Sequence, residues 1–177
     1  SIFALFGISM TVIGATLPKI FAEFGWSYMT AGIVIAAGSI GYFLSSYLAG
    51  ILFPFLGIRL TISLSLILIC CGLELFARTP IAWLNMMLYF IIGVGQGGIE
   101  IAVDWAVLRM EGPGGGKAMS LMHGAFSIGA VVGPLIIAIL ISANLEWTLV
   151  YRIIGILFIG LAIFMQFMPL RFLGKDR

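Results

Sequence analysis

Charged side chains are scarce in this sequence, which has 9% Asp, Glu, Lys and Arg against 62% hydrophobic residues. Soluble domains carry about 25% charged and roughly 45–50% apolar residues. Too few polar groups are therefore present to cover a surface that faces water on all sides. The mean hydropathy of +1.22 points the same way, so the composition excludes a water-soluble fold.

Cysteine is nearly absent too. Cys70 and Cys71 are adjacent in the chain, so they cannot form an ordinary structural disulfide with each other. The sequence also lacks metal-ligand spacing, a nucleophile triad and a basic patch for nucleic acid. We therefore expect no enzyme activity, no metal, no cofactor and no nucleic-acid partner.

Long apolar runs make up most of the chain. A helix that crosses lipid needs about 20 apolar residues and satisfies its own backbone hydrogen bonds. We predict an all-α membrane protein in which residues 1–177 form one bundle of six transmembrane helices in contact with lipid. The predicted spans, numbered 1 to 6, are Ile2–Phe21, Met29–Phe53, Leu60–Phe76, Ile81–Leu108, Ala118–Ile141 and Leu149–Pro169.

Basic residues predict the orientation, because Lys and Arg stay preferentially on the cytoplasmic side. With the amino terminus inside, the residues in cytoplasmic segments are Arg59, Arg109, Lys117, Arg171, Lys175 and Arg177, against Lys19, Arg78 and Arg152 near the other face. Both termini are therefore expected in the cytoplasm. Amphipathic rings favour the membrane boundary. Those expected at the outer boundary are Trp26, Tyr28, Trp83, Trp147 and Tyr151.

A weak internal repeat divides the chain. Ser39-Ile40-Gly41 in span 2 recurs 88 residues later as Ser127-Ile128-Gly129 in span 5, and Gly7 matches Gly95 at the same offset. This offset aligns spans 1, 2 and 3 with spans 4, 5 and 6. Because three is odd, the two triplets have opposite topology, which predicts inverted three-helix repeats over residues 1–79 and 80–177.

Ionisable residues inside the predicted spans are the candidate functional groups, because a charge at a helix centre costs about 2.5–3.5 kcal/mol or more in lipid. Glu100 and Asp104 are four residues apart in span 4, and Gln96 extends their polar stripe by one turn. Such a stripe has to face other helices or a water-filled cavity. We therefore predict that Glu100, with Asp104 as second candidate, couples a proton or binds a polar solute.

The alternative is a structural role. The two acids could form buried hydrogen bonds with His123 of span 5, or an ion pair with a basic residue, and only hold the bundle together. The cost of burying two acids favours a function for them. For His123 both readings are equally open, because a neutral imidazole is easily accommodated between helices. The glycines of Gly93-Val94-Gly95-Gln96-Gly97-Gly98, and likewise Gly129 and Gly133, predict close helix packing.

The segment between spans 2 and 3 carries a family resemblance. Residues 50–59 read Gly-Ile-Leu-Phe-Pro-Phe-Leu-Gly-Ile-Arg and resemble the loop signature G-x-L-a-D-R-x-G-x-R of the major facilitator superfamily. Four residues fit this signature, namely Gly50, Leu52, Gly57 and Arg59. Pro54 and Phe55 replace the usual Asp and Arg. The resemblance implies a half of a secondary transporter whose complete form has twelve spans.

Two further motifs are similar to the fucose permease group of sugar:proton symporters. These are Gly95-Gln96-Gly97-Gly98-Ile99-Glu100-Ile101-Ala102 in span 4 and Ser127-Ile128-Gly129-Ala130 in span 5. The resemblance implies that Glu100 takes part in proton coupling and sugar binding. Asp104, His123 and Phe126 stand where that group has Asn, Gln and Asn, so the solute need not be fucose. The residues expected to bind the solute are Gln96, Glu100, Asp104, His123, Phe126 and Ser127.

The resulting expectation is proton-coupled transport of a small polar solute such as a sugar, in a bacterial cytoplasmic membrane. A lone half cannot enclose a solute, so we expect a second six-helix half, either in the same polypeptide or in a homodimer. Because span 1 begins directly after Ser1, a short preceding piece is also expected. The alternative is a non-transporting scaffold subunit that packs against other membrane subunits of a larger complex.

Overall fold

The computed structural model describes residues 2–111 and 116–167, and the side chains of these residues except 53 and 54. Its helices are Ile2–Phe24, Tyr28–Leu75, Ala82–Glu111, Lys117–Ser142 and Trp147–Phe167. Within these ranges, six stretches are long and apolar enough to cross a membrane. They are span 1 (Ile2–Phe24), span 2 (Tyr28–Leu52), span 3 (Phe55–Leu75), span 4 (Ala82–Glu111), span 5 (Lys117–Ser142) and span 6 (Trp147–Phe167). The prediction of six transmembrane helices is confirmed.

Some predictions concern residues outside the described ranges. They are the end of span 6 at Pro169 and the basic residues Arg171, Lys175 and Arg177. The division into repeats at residues 1–79 and 80–177 stays a prediction.

The connection between spans 2 and 3 differs from the expected loop. The chain is helical from Tyr28 to Leu75 and departs from helical geometry at Gly57, where φ is 74° and ψ is 161°. Glycine adopts this left-handed φ without steric cost, so one residue can redirect the chain. Span 3 begins at Phe55, before the predicted Leu60, and it contains Gly57. Gly50 and Leu52 lie in span 2, and Arg59 lies in span 3.

Spans 2 and 4 touch along a seam of glycines, which we call the 2–4 seam and define by Gly38, Gly41, Gly93 and Gly97. A β-carbon on Gly93 would overlap the carbonyl oxygen of Gly38, and one on Gly41 would overlap that of Phe90. Without side chains at these points the two backbones approach each other directly, as the small residues predicted. Span 4 is thereby fixed against span 2 in the centre of the bundle.

Spans 1 and 5 pack in the same manner. A β-carbon on Gly129 would overlap the carbonyl oxygen of Ala4, and one on Gly7 would lie 2.8 Å from the backbone nitrogen of Ala130. A β-carbon on Gly133 would likewise lie 3.0 Å from Cγ1 of Ile8. The predicted close contact at Gly129 and Gly133 is therefore confirmed, and span 5 is held mainly by span 1.

The aromatic residues expected at the outer boundary do not all face the membrane surface. Tyr28 and Trp83 are exposed, whereas Trp26, Trp147 and Tyr151 are buried. The polar atom of each buried ring has a protein partner. The Tyr151 hydroxyl lies 2.6 Å from that of Thr16, the Trp26 indole donates to the carbonyl of Pro80, and the Trp147 indole donates to Glu23. Two of these rings link spans 1 and 6, and Trp26 links the connection after span 1 to the connection before span 4.

The turn between spans 3 and 4 is closed by Asn85, whose side chain is buried. Its Oδ1 accepts a hydrogen bond from the backbone nitrogen of Ala77 at 2.7 Å, and its Nδ2 donates to the carbonyls of Thr79 and Ile81 at 2.8 and 2.9 Å. These bonds satisfy backbone groups that the ends of the two helices leave unpaired. Arg152 of span 6 donates to two more carbonyls at the end of span 3, those of Leu73 and Phe76.

Candidate functional site

The candidate site is built around two carboxylates of span 4. Glu100 and Asp104 lie one turn apart on the same face of the helix, and both are partly buried. The hydroxyl of Tyr42 in span 2 donates a hydrogen bond to Oε2 of Glu100. Tyr42 can reach this acid because the 2–4 seam brings the two backbones together one turn before Glu100. Glu100 is therefore tied to a neighbouring helix by a hydroxyl donor.

Asp104 has a different environment. Its Oδ1 is buried and has no hydrogen-bond partner among the residues described. The same is true of Oγ of Ser46, which lies one turn beyond Tyr42 in span 2. Buried polar atoms normally have a partner. Each of these two oxygens can therefore bind a water molecule, a proton or a polar group of a solute.

His123 of span 5 completes the polar group. Its side chain is exposed, and its ring meets that of Phe3 edge-on with centroids 6.0 Å apart. The imidazole interacts electrostatically with both Glu100 and Asp104. The structure thus brings together three of the predicted site residues on spans 4 and 5.

Gln96, the first residue of the predicted polar stripe, faces another helix. It is only 4% exposed, and its Nε2 donates to Oγ of Ser9 in span 1 at 3.2 Å. Ser9 in turn donates to the carbonyl oxygen of Phe6 at 2.8 Å. Gln96 therefore joins spans 1 and 4 inside the bundle, and its amide donor is not directed at an open surface.

Phe126 and Ser127 lie one turn after His123 on span 5. The ring of Phe126 packs on that of Phe6 with centroids 5.5 Å apart, which leaves it partly buried. Ser127 is exposed, and its hydroxyl donates to the carbonyl of His123 at 2.9 Å. Both residues thus line the same stretch of span 5 as His123. Their hydrogen bond and ring contact are with His123 and Phe6 and not with the acids.

Sequence reasoning missed Tyr42 and Ser46. A signal was present, because Ser39, Tyr42 and Ser46 recur at helical spacing and form a polar stripe on span 2. The stripe faces span 4 only because the 2–4 seam sets the rotation of the two helices, and the sequence does not specify which glycines pair. Together, the carboxylates, the phenol and the imidazole can bind a proton or the hydroxyl groups of a solute without covalent chemistry.

Comparison with known proteins identifies the family of this membrane bundle. The family model of the Major Facilitator Superfamily matches residues 1–175. The chain belongs to this superfamily. Its six spans correspond to a six-helix half, as the resemblance of the signature residues predicted, and it is an integral membrane protein of a transporter family and not of an enzyme family.

Several curated relatives are similar to this chain. The sodium-dependent glucose transporter 1 of Rattus norvegicus is 26% identical over 141 residues, which are 80% of this chain and 28% of that protein. An uncharacterized transporter of the superfamily from Yersinia pestis is 29% identical over 133 residues, 74% of this chain and 34% of that protein. The sodium-dependent glucose transporter 1 of Danio rerio is 25% identical over 134 residues, 76% of this chain and 23% of that protein. The chain thus spans about a third or less of the relatives it matches.

Proposed function

We propose that this chain forms one half of a secondary active transporter that moves a small polar solute, such as a sugar, together with protons. The observation that carries this proposal is the group of protonatable side chains on the facing surfaces of spans 2, 4 and 5. Glu100, Asp104, His123 and Tyr42 can exchange protons and hydrogen bonds with a bound solute. Their family setting supports transport over a purely structural role.

The physical reason for coupling lies in the two acids. Two carboxylates one turn apart and partly buried resist carrying two negative charges at once. Binding a proton therefore favours an occupied site, and release of the proton on the other side of the membrane favours its emptying. A carrier that changes its access between these two steps couples the proton gradient to solute movement.

Sugar as the solute class is supported by relatives named as glucose transporters. Their names also specify sodium, so sodium coupling is the competing possibility. Protons are proposed here because three of the gathered side chains, Glu100, Asp104 and His123, carry groups that can each bind and release a proton.

A second six-helix half is required, because alternating access needs one bundle to rock against another around a shared site. We propose that this half is part of the same polypeptide, since the relatives are several times longer than the matched stretch. A second copy of this chain is the other arrangement. We propose a location in a bacterial cytoplasmic membrane, and the Lys and Arg distribution supports an orientation with both termini inside.

Solute flux in proteoliposomes tests the proposal. The complete polypeptide that carries this chain is reconstituted, and accumulation of labelled glucose and other monosaccharides is measured under a pH gradient or a Na⁺ gradient, with the membrane potential clamped. We expect the pH gradient to drive accumulation without Na⁺. Accumulation under the Na⁺ gradient alone would refute proton coupling. No flux of any sugar, together with stoichiometric co-purification of other membrane subunits, would favour a scaffold.

A further inference from the structure

The two acids of span 4 have unequal partners. Oε2 of Glu100 accepts the hydrogen bond of Tyr42, whereas Oδ1 of Asp104 is buried without a partner in the described part of the chain. Both acids lie on the same helix, one turn apart, and His123 interacts electrostatically with each. The difference between them therefore comes from span 2, which supplies a donor to one acid only.

The backbone of Tyr42 packs closely against span 4. A β-carbon on Gly93 would lie 3.0 Å from the backbone nitrogen of Tyr42, and one on Gly97 would overlap its carbonyl oxygen. The backbone of Tyr42 therefore touches span 4 at two successive turns. From this backbone position the side chain of Tyr42 extends to Glu100 and donates its hydrogen bond.

Span 2 also contributes an unpartnered oxygen on the side that faces span 4. Oγ of Ser46 is buried, and it would lie 2.7 Å from a β-carbon on Gly97. Gly97, Glu100 and Asp104 recur at helical spacing and share one face of span 4. Ser46 and Asp104 thus flank Glu100 on the side of the 2–4 seam, and each has hydrogen-bonding capacity left open.

We infer that Tyr42 is a positioning residue that divides the acid pair, so that Glu100 is a fixed acceptor for solute hydroxyl groups and Asp104 is the acid that takes up the coupled proton. This inference rests on the proposed proton-coupled transport. Glu100 keeps its Oε1 for the solute while Oε2 is engaged by Tyr42. Asp104 gains the proton from water on one side of the membrane and returns it to water on the other, with no covalent change in the solute.

The charged and titratable groups that face Asp104 are consistent with this division. Glu100 lies on its own helix and His123 lies on span 5, and these two interact electrostatically within the site. Tyr42 and Ser46 on span 2 contribute hydroxyl groups. When Asp104 is neutral, the repulsion with Glu100 disappears, so Glu100 can keep its charge and accept hydrogen bonds from the solute.

Two assays on the complete transporter separate the roles. Accumulation under a pH gradient requires net proton movement, whereas counterflow exchange of labelled solute at equal pH requires only solute binding and the change of access. We expect Asp104→Asn to lose accumulation and retain counterflow. We expect Tyr42→Phe to retain the accumulation ratio and to raise the KM for counterflow about tenfold, the effect of losing one hydrogen bond to a charged group.

The matched control for Tyr42→Phe is Tyr47→Phe, because Tyr47 lies on the same span and is exposed. Thermal unfolding and gel-filtration profiles establish that each variant is folded. Proton-driven accumulation by Asp104→Asn would overturn the assignment of Asp104, and loss of counterflow in that folded variant would make it a solute ligand instead. An unchanged KM in Tyr42→Phe would remove the role of Tyr42. If the unmodified protein itself shows no accumulation under a pH gradient, the proposed proton-coupled transport is refuted. The division of roles is refuted only by the variants, measured against an unmodified protein that does accumulate solute.

Discussion

Replacing Glu100 by Gln is expected to abolish both accumulation and counterflow exchange of the solute while the protein stays folded. Glutamine keeps the shape of the side chain and can still contact Tyr42, but it removes the negative charge that accepts hydrogen bonds from the solute. Loss of a hydrogen bond to a charged group costs about 1.5–3 kcal/mol, which corresponds to at least a tenfold fall in transport at low solute concentration. Initial rates of uptake and exchange in proteoliposomes measure the effect.

The matched control for this variant is Glu146→Gln. Glu146 is an exposed acid that directly precedes span 6. Its carboxylate accepts a hydrogen bond from the nearby Thr148. We expect this control to transport normally. Normal uptake by folded Glu100→Gln would contradict the central place of Glu100, and equal loss in both variants would indicate a nonspecific charge effect.

The second large effect is expected from Gly93→Val, which fills the 2–4 seam. A β-carbon at this position would overlap the carbonyl oxygen of Gly38, which belongs to backbone and cannot rotate away. Spans 2 and 4 would have to separate, at a cost of about 1–3 kcal/mol or more in stability. Separation would also withdraw Tyr42 from Glu100, so transport should fall together with the unfolding temperature. Thermal unfolding in detergent, followed by the loss of monodisperse protein, measures the change.

Gly32→Val is the control for this substitution. Gly32 lies in span 2, and a β-carbon there would have no described atom of another helix within 4 Å. Both substitutions place the same branched side chain in a transmembrane helix, so they differ mainly in helix contact. If the two variants unfold at the same temperature, the close contact of spans 2 and 4 is not a source of stability.

Hydrophobicity was sufficient to predict the spans. Long apolar runs can only be helices in lipid, and the observed ends of span 1 and span 5 lie within three residues of those predicted. The connection between spans 2 and 3 was harder to predict, since a single glycine with a left-handed backbone replaces an expected loop. A glycine at position 57 can adopt this conformation, as the sequence alone indicates. The sequence does not indicate that both helices continue up to Gly57.

The candidate site was predictable only in part. The cost of a charge in lipid predicted Glu100 and Asp104 as candidates, and the structure brings His123 near enough for its charge to act on both. The sequence left open whether Gln96 meets another helix or a cavity, because helical periodicity gives the spacing of side chains but not the neighbour that each one meets. Ser9 of span 1 occupies its amide. The partner of Glu100 on span 2 depends on which helices pack together, and that information lies in tertiary structure.

The measurement that tests the account most directly is the reactivity of a cysteine at position 104 toward a charged, membrane-impermeant methanethiosulfonate. Cys70 and Cys71 are first replaced by Ser, and the exposed apolar position of Ile156 on span 6 serves as the lipid-facing comparison. The thiolate that reacts forms only in contact with water. We predict that Asp104→Cys is modified and that bound solute slows the modification, while Ile156→Cys does not react. An unreactive cysteine at position 104 in the folded protein, with or without solute, would contradict a water-filled pocket around the acids.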